Sequence, residues 1–122
     1  MLIKNFLLVA AGGGIGAMMR YGISMLFPLE DFPYATLVVN LAGSFLLGII
    51  LGMSLRSESL PAGLGLFLAT GICGGFTTFS GFSGENLSLI ATGKYNLAFL
   101  YVMTSVVGGI LATWFGFKLI QY

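Results

Sequence analysis

The stretch GGFTTFSGFSGE, residues 74–85, lies inside a run from Pro61 to Thr92 that carries no charge until Glu85. As one continuous helix that run would be about 48 Å long at about 1.5 Å per residue, well beyond a hydrocarbon thickness of roughly 30 Å. It must tilt strongly, protrude or break. Gly71, Gly74, Gly75, Gly81 and Gly84 gather where a break would fall, and glycine tolerates irregular backbone. The reading is a third helix broken near mid-membrane. Backbone groups freed there find no water in lipid, so a break persists only if it is buried in protein, hydrated, or used to hold an ion.

The rest of the chain makes that solvent a bilayer. With 57% hydrophobic and 7% charged residues and a mean hydropathy of +1.02, it cannot cover a water-facing surface. Its 122 residues have room for about four helices of roughly 20 residues each. The expected layout is one four-helix transmembrane domain over 1–122, with spans near 3–27, 33–55, 61–92 and 95–118. Pro28, Glu30 and Asp31 close the first span, Arg56 and Glu58 the second, and Gly93 with Lys94 separates the third from the fourth, which ends at Lys118. No alternating pattern typical of barrel strands occurs, so the class is all-α. A cleaved signal peptide is the other reading of the first segment, since Lys4 precedes an apolar run, but the pattern continues past any cut and removal would orphan the Arg20 region.

Several function classes fall away. A net charge of +1 with basic residues scattered singly gives no nucleic-acid footprint. Cys73 is the single cysteine and cannot form an intrachain disulfide. Histidine is absent, which removes the commonest metal ligand and the usual activator of a serine or threonine nucleophile, so the chain does not read as an enzyme.

Orientation is set by Lys and Arg in the loops. One face collects Lys4, Arg56 and Lys118; the other collects Lys94 and, if it reaches that way, Arg20. With so nearly balanced a vote, insertion both ways up and a single orientation with modest bias are both open.

Each of three spans carries small or polar residues at a spacing of four, which lets membrane helices approach closely. They are Gly12, Gly16 and Arg20; Thr36, Asn40, Ser44, Gly48 and Gly52; and Tyr101, Ser105, Gly109 and Thr113. Packing accounts for the glycines. Asn40 and Arg20 ask for more, because an amide or guanidinium well inside a span is costly without a partner or a hydrated cavity, and Asn40 is too short to reach the interface. Around the expected break, Phe79 and Phe82 share a helical face while Thr78, Ser80 and Ser83 offer hydroxyl donors. Ring edges are weakly positive, so the group favours an anion over a cation. Membrane phenylalanines are often lipid-facing bulk, and this stretch alone leaves that reading open too.

Together, GGFTTFSGFSGE, GGGIGAMMRY (12–21) and PYATLVVNLAGSFLLG (33–48) resemble the Fluc (CrcB) family of fluoride channels, over essentially the whole chain. The resemblance implies a fluoride-selective channel that exports cytoplasmic fluoride and lowers its toxicity. It implies a multi-pass protein of the plasma membrane, the cell inner membrane in a bacterium, working as an antiparallel, dual-topology homodimer with two pores. It further implies a structural sodium ion at the dimer centre, held by the backbone carbonyls of Gly74 and Thr77. Phe79 and Phe82 match the family's pore-facing phenylalanines, Asn40 its second-helix asparagine, Arg20 its first-helix arginine and Glu85 an acidic position beside the pore. Tyr101, Ser105 and Thr113 match a polar track on the last helix. Gly109 and Gly81 stand where related chains often have a hydroxyl, which leaves the fine hydrogen-bond path open.

Two rivals are weighed against this. A small proton-coupled exporter wants a carboxylate embedded in its first helix, where this chain reads GGGIG. A non-transporting assembly subunit has no use for Asn40 and a glycine-broken FxxF in its core.

Overall fold

The computed structural model describes residues 1–28, 30–56 and 60–121. Four helical stretches in it are long and apolar enough to cross a membrane, and the described residues contain no strand. The first is α1 (Leu2–Ser24) and the second α2 (Tyr34–Arg56). The third, Ala62–Ala91, is composite: α3 (Ala62–Gly65), a π-helical segment (Leu66–Cys73), α4 (Gly74–Phe76) and α5 (Phe79–Ala91). The fourth is α6 (Tyr95–Gln121). Glu58, read above as closing the second span, lies outside the described residues.

Local chemistry explains the ends. α1 finishes at Ser24, short of the apolar run, where Ser24 Oγ donates to the Tyr21 carbonyl at 2.6 Å and the chain turns ahead of Pro28. α5 ends in a Schellman motif: the Lys94 N–H donates to the Leu89 carbonyl at 2.8 Å and the Gly93 N–H to the Ile90 carbonyl at 3.1 Å. Gly93, at φ 77°, is the one described residue with positive φ. α6 continues past Lys118, a cation that suits the last turn of a helix.

The spans pack as two close pairs, α1 on the π-helical segment and α4, and α2 on α6. Glycine makes both pairs possible. A Cβ on Gly12 would lie 2.9 Å from Gly71 Cα, and one on Gly75 would lie 2.3 Å from the Gly13 carbonyl oxygen. Across the other seam, a Cβ on Gly48 would lie 2.0 Å from the Thr113 carbonyl oxygen, and one on Gly116 would lie 2.2 Å from that of Phe45. Such contacts are the small-residue packing that holds helices together in lipid.

This corrects one expectation. Gly71 and Gly75, read as giving the backbone freedom to break, keep helical geometry and serve close approach instead. The residues that leave helical geometry are Thr77 and Thr78.

At one end of the bundle, Lys94 pairs with Asp31 at 2.5 Å, tying the α1–α2 connection to the start of α6. At the other, an Arg56 N–H donates to the Ile120 carbonyl and joins the ends of α2 and α6. Buried Leu89, Ala98 and Tyr101 form a small core under Phe32, Leu37, Phe82 and Leu97. Most remaining large apolar side chains, among them Phe6, Met18, Phe99 and Ile110, are exposed, as helices bathed in hydrocarbon require.

Candidate functional site

The site grows from backbone accounting at Thr77 and Thr78. Both are extended, with φ/ψ of −83°/156° and −146°/114°. In an unbroken helix the Thr78 N–H would donate to the Gly74 carbonyl. Here it donates to Asn40 Oδ1 at 2.8 Å, while Asn40 Nδ2 donates to the Thr78 carbonyl at 3.1 Å. One amide side chain thus satisfies both backbone groups of one residue, as a neighbouring strand would. The Gly75 carbonyl is taken by Arg20 Nε at 3.1 Å. Thr78 then starts α5 as its N-cap, accepting from the Gly81 N–H at 2.9 Å. Arg20 and Asn40, the two polar residues that packing could not explain, are therefore the partners of irregular backbone in a medium that offers no water.

Asn40, Gly74, Thr77, Thr78, Phe79 and Phe82 line one cleft of about 370 Å³, which Ser44, Cys73 and Ser105 also border. The Phe79 and Phe82 ring centroids are 5.7 Å apart. Phe79 is 79% exposed although it directly follows the break, while Phe82 is half-buried. The Ser105 hydroxyl oxygen is buried without a hydrogen-bond partner among the described residues. An orphan of that kind costs about 1–3 kcal/mol unless something meets it. Gly74, whose carbonyl has lost its helical donor, lines the same cleft beside Thr77, whose hydroxyl donates to the Cys73 carbonyl at 2.8 Å.

A second cleft of about 220 Å³ brings together Arg20, Thr36, Thr78, Gly81 and Glu85. Glu85 is held by hydroxyls: Thr36 donates to Oε1 at 2.5 Å and Tyr101 to Oε2 at 3.0 Å. Tyr101 is fully buried, and its ring meets Phe82 edge-on at 5.0 Å, so it joins the two clefts.

The remaining candidates sit apart. Ser80 and Ser83 are exposed on α5 and border neither cleft, although Ser80 Oγ lies 3.3 Å from Thr78 Oγ1. Thr113 donates to the Gly109 carbonyl at 3.0 Å, and its own carbonyl forms the wall against Gly48. The reading from sequence missed Thr36 as a partner of Glu85, although Thr36 stood in the α2 stripe. It also missed Asn86, which is buried, donates to the Phe82 carbonyl at 2.9 Å and has an unpartnered Oδ1. The signal was weak, since Asn86 stands next to Glu85 and between Ser83 and Ser88 in a polar part of α5.

Known proteins with this pattern exist. The family described as CrcB-like protein, Camphor Resistance (CrcB), matches residues 7–117. A protein of Azobacteroides pseudotrichonymphae genomovar. CFP2 is 40% identical over 124 residues, 99% of each chain. One of Chlorobium phaeobacteroides (strain BS1) is 47% identical over 115 residues, 93% of this chain and 90% of its own. One of Pyrococcus abyssi (strain GE5 / Orsay) is 43% identical over 120 residues, 98% of each chain. All three relatives are named fluoride-specific ion channel FluC.

Proposed function

This chain belongs to the CrcB-like family, and on that premise we propose that it is a fluoride-selective channel that lets fluoride leave the cell and so lowers its toxicity. In this reading the protein sits in the plasma membrane, the cell inner membrane if the source is bacterial. It acts as an antiparallel homodimer with two pores, and the third span is broken near mid-membrane at Thr77 and Thr78. The observation that carries the reading is the Phe79–Phe82 pair beside a buried, unpartnered Ser105 hydroxyl.

Fluoride is small and strongly hydrated, so a narrow path must replace its water with donors that do not hold it too tightly. Ring edges attract weakly. Stronger donors stand beside them in the cleft, the Ser105 hydroxyl and the second N–H of Asn40 Nδ2; the hydroxyls of Ser80 and Ser83 lie outside it on α5, and that of Thr113 is spent on the Gly109 carbonyl. Tyr101, pinned to Glu85, closes the aromatic wall behind Phe82. Arg20 and Asn40 hold the break in shape, so the rings after it keep one position.

The freed Gly74 carbonyl and the neighbouring Thr77 carbonyl fit a structural sodium ion, a hard cation that takes oxygen ligands. Bound there, sodium would supply positive charge to the Gly74 carbonyl dipole, which has lost its helical donor, and to that of Thr77 beside it. Of the two rivals, a proton-coupled exporter has one embedded carboxylate to use, Glu85, and both of its oxygens already accept from hydroxyls. An assembly subunit leaves the Ser105 hydroxyl unexplained.

Efflux from liposomes carrying the purified protein tests the reading. Fluoride is expected to leave rapidly while chloride stays. Equal chloride efflux would overturn selectivity, and no fluoride efflux would overturn the channel.

A further inference from the structure

Phe32 belongs to no helix. It sits on the α1–α2 connection, where a connecting residue would ordinarily face water or headgroups, yet it is half-buried and packs on the Leu89, Ala98 and Tyr101 core. We propose that Phe32 is a positioning residue for conduction, acting through Tyr101 to hold its hydroxyl on Glu85.

Three observations carry this. The Tyr101 ring lies in contact with two others, Phe32 at 5.4 Å and 65° and Phe82 at 5.0 Å and 66°, both edge-type contacts. With Tyr101 fully buried, those rings limit where its ring can tilt, and the tilt decides where its hydroxyl falls. The hydroxyl is spent on one partner, Glu85 Oε2 at 3.0 Å, whose other oxygen accepts from Thr36. Finally, Phe32 is itself anchored. Tyr34 meets its ring at 4.9 Å, and the preceding residue, Asp31, pairs at 2.5 Å with Lys94, immediately before the helix that carries Tyr101. The connection is thereby fastened to α6 at its base, and its aromatic side chain bears on α6 near the same end.

The chain of contact runs Tyr34, Phe32, Tyr101, Phe82, Phe79, with neighbouring centroids between 4.9 and 5.7 Å throughout. A loop residue thus touches the wall of the proposed ion path at one remove. A flat ring is needed for this, since an aliphatic side chain of similar bulk fills the space without an edge-to-face contact. Phe32→Leu should therefore let the Tyr101 ring tilt and weaken its hold on Glu85, whereas Phe32→Tyr retains the ring and should conduct normally.

The proposal rests on the channel reading, so the test separates the two. Fluoride efflux from liposomes is compared for the unaltered protein, Phe32→Leu, Tyr101→Phe and the double variant, using fractions with unchanged size-exclusion profile. Phe32→Leu is expected to slow efflux about fivefold when Tyr101 is present and to change it less than about twofold in the Tyr101→Phe background, because coupled residues do not add. Equal factors in both backgrounds would mean that Phe32 merely packs, and would overturn the proposal while leaving the channel intact. No efflux from the unaltered protein would overturn the channel reading instead. A 19F label on the Tyr101 ring reads position without any flux. Its resonance should move in Phe32→Leu and return in Phe32→Tyr, and an unmoved resonance counts against the proposal. If Phe32→Leu fails to fold, Asp31→Asn, which loosens the same connection from Lys94, takes its place in both measurements with the same expected results.

Discussion

Asn40 and the two phenylalanines after the break do different work, and substitutions separate them. Asn40→Asp keeps an acceptor for the Thr78 N–H but removes the N–H that meets the Thr78 carbonyl and sets a carboxylate beside it. Both the fold and the flux should suffer: the orphaned carbonyl costs about 1–3 kcal/mol, read as a lower temperature at which the monodisperse peak is lost, and fluoride efflux should fall with it. Phe79→Ile and Phe82→Ile keep most of the bulk and lose the polar edge. Each should slow efflux about twofold to twelvefold, since such edge contacts contribute about 0.5–1.5 kcal/mol, with size-exclusion behaviour unchanged. Normal efflux in both variants would show that the rings are packing or lipid-facing residues. At Thr77 the expectation is the reverse. Its hydroxyl donates to a Cys73 carbonyl that also accepts the Thr77 N–H at 3.0 Å, so Thr77→Val strands no backbone group. The sodium dependence proposed above should survive that change, and its loss in Thr77→Val alone would point to hydroxyl ligation instead.

At the scale of the helices, glycine explains which spans touch. The α2–α6 seam tolerates nothing larger at Gly48, whose added Cβ would enter the Thr113 carbonyl. Gly48→Ala should part the two helices and destabilise the fold by about 1–3 kcal/mol, measured as lower thermal retention of the monodisperse peak. Gly14, which meets nothing within 4 Å, is the control, and its replacement by Ala should be harmless. Four apolar spans were legible in the sequence because a bilayer imposes length and apolarity on every spanning helix. The stripe at a spacing of four was legible as well, but not its division of labour: Gly48 and Gly52 face α6, while Thr36 and Asn40 turn to the third span. Periodicity states that residues share a face and leaves open which neighbour that face meets. The π-helical segment Leu66–Cys73 was not legible, since nothing in LFLATGIC distinguishes a wider helical turn from an α-helical one. Arg20 and Asn40 announced themselves by their cost in lipid, whereas their partners, the Gly75 and Thr78 backbone groups, carry no side-chain signal at all.

For the whole molecule the open matter is how it lies in the membrane. The near-even balance of basic residues counted Arg20 with Lys94 against Lys4, Arg56 and Lys118. In the folded chain Arg20 donates to the Gly75 carbonyl and Lys94 pairs with Asp31, so neither is a free loop charge. Orientation, however, is decided as helices enter the bilayer, before α1 meets the third span and covers the guanidinium. At that moment Arg20 still counts, close to the end of α1, and the balance holds. Such a balance supports the dual insertion proposed above, which would supply both orientations for an antiparallel pair. Lysines added to the α1–α2 and α5–α6 connections, or alternatively beside Lys4 and Lys118, should each drive uniform insertion in opposite senses, read by accessibility of a tag at the C-terminus. Either variant alone should lose fluoride efflux, because an antiparallel dimer needs both orientations. Expressing the two together should restore it, since each then supplies the orientation the other lacks. Full efflux from one uniformly inserted variant on its own would sink the antiparallel arrangement, and with it the assignment of two pores to one dimer.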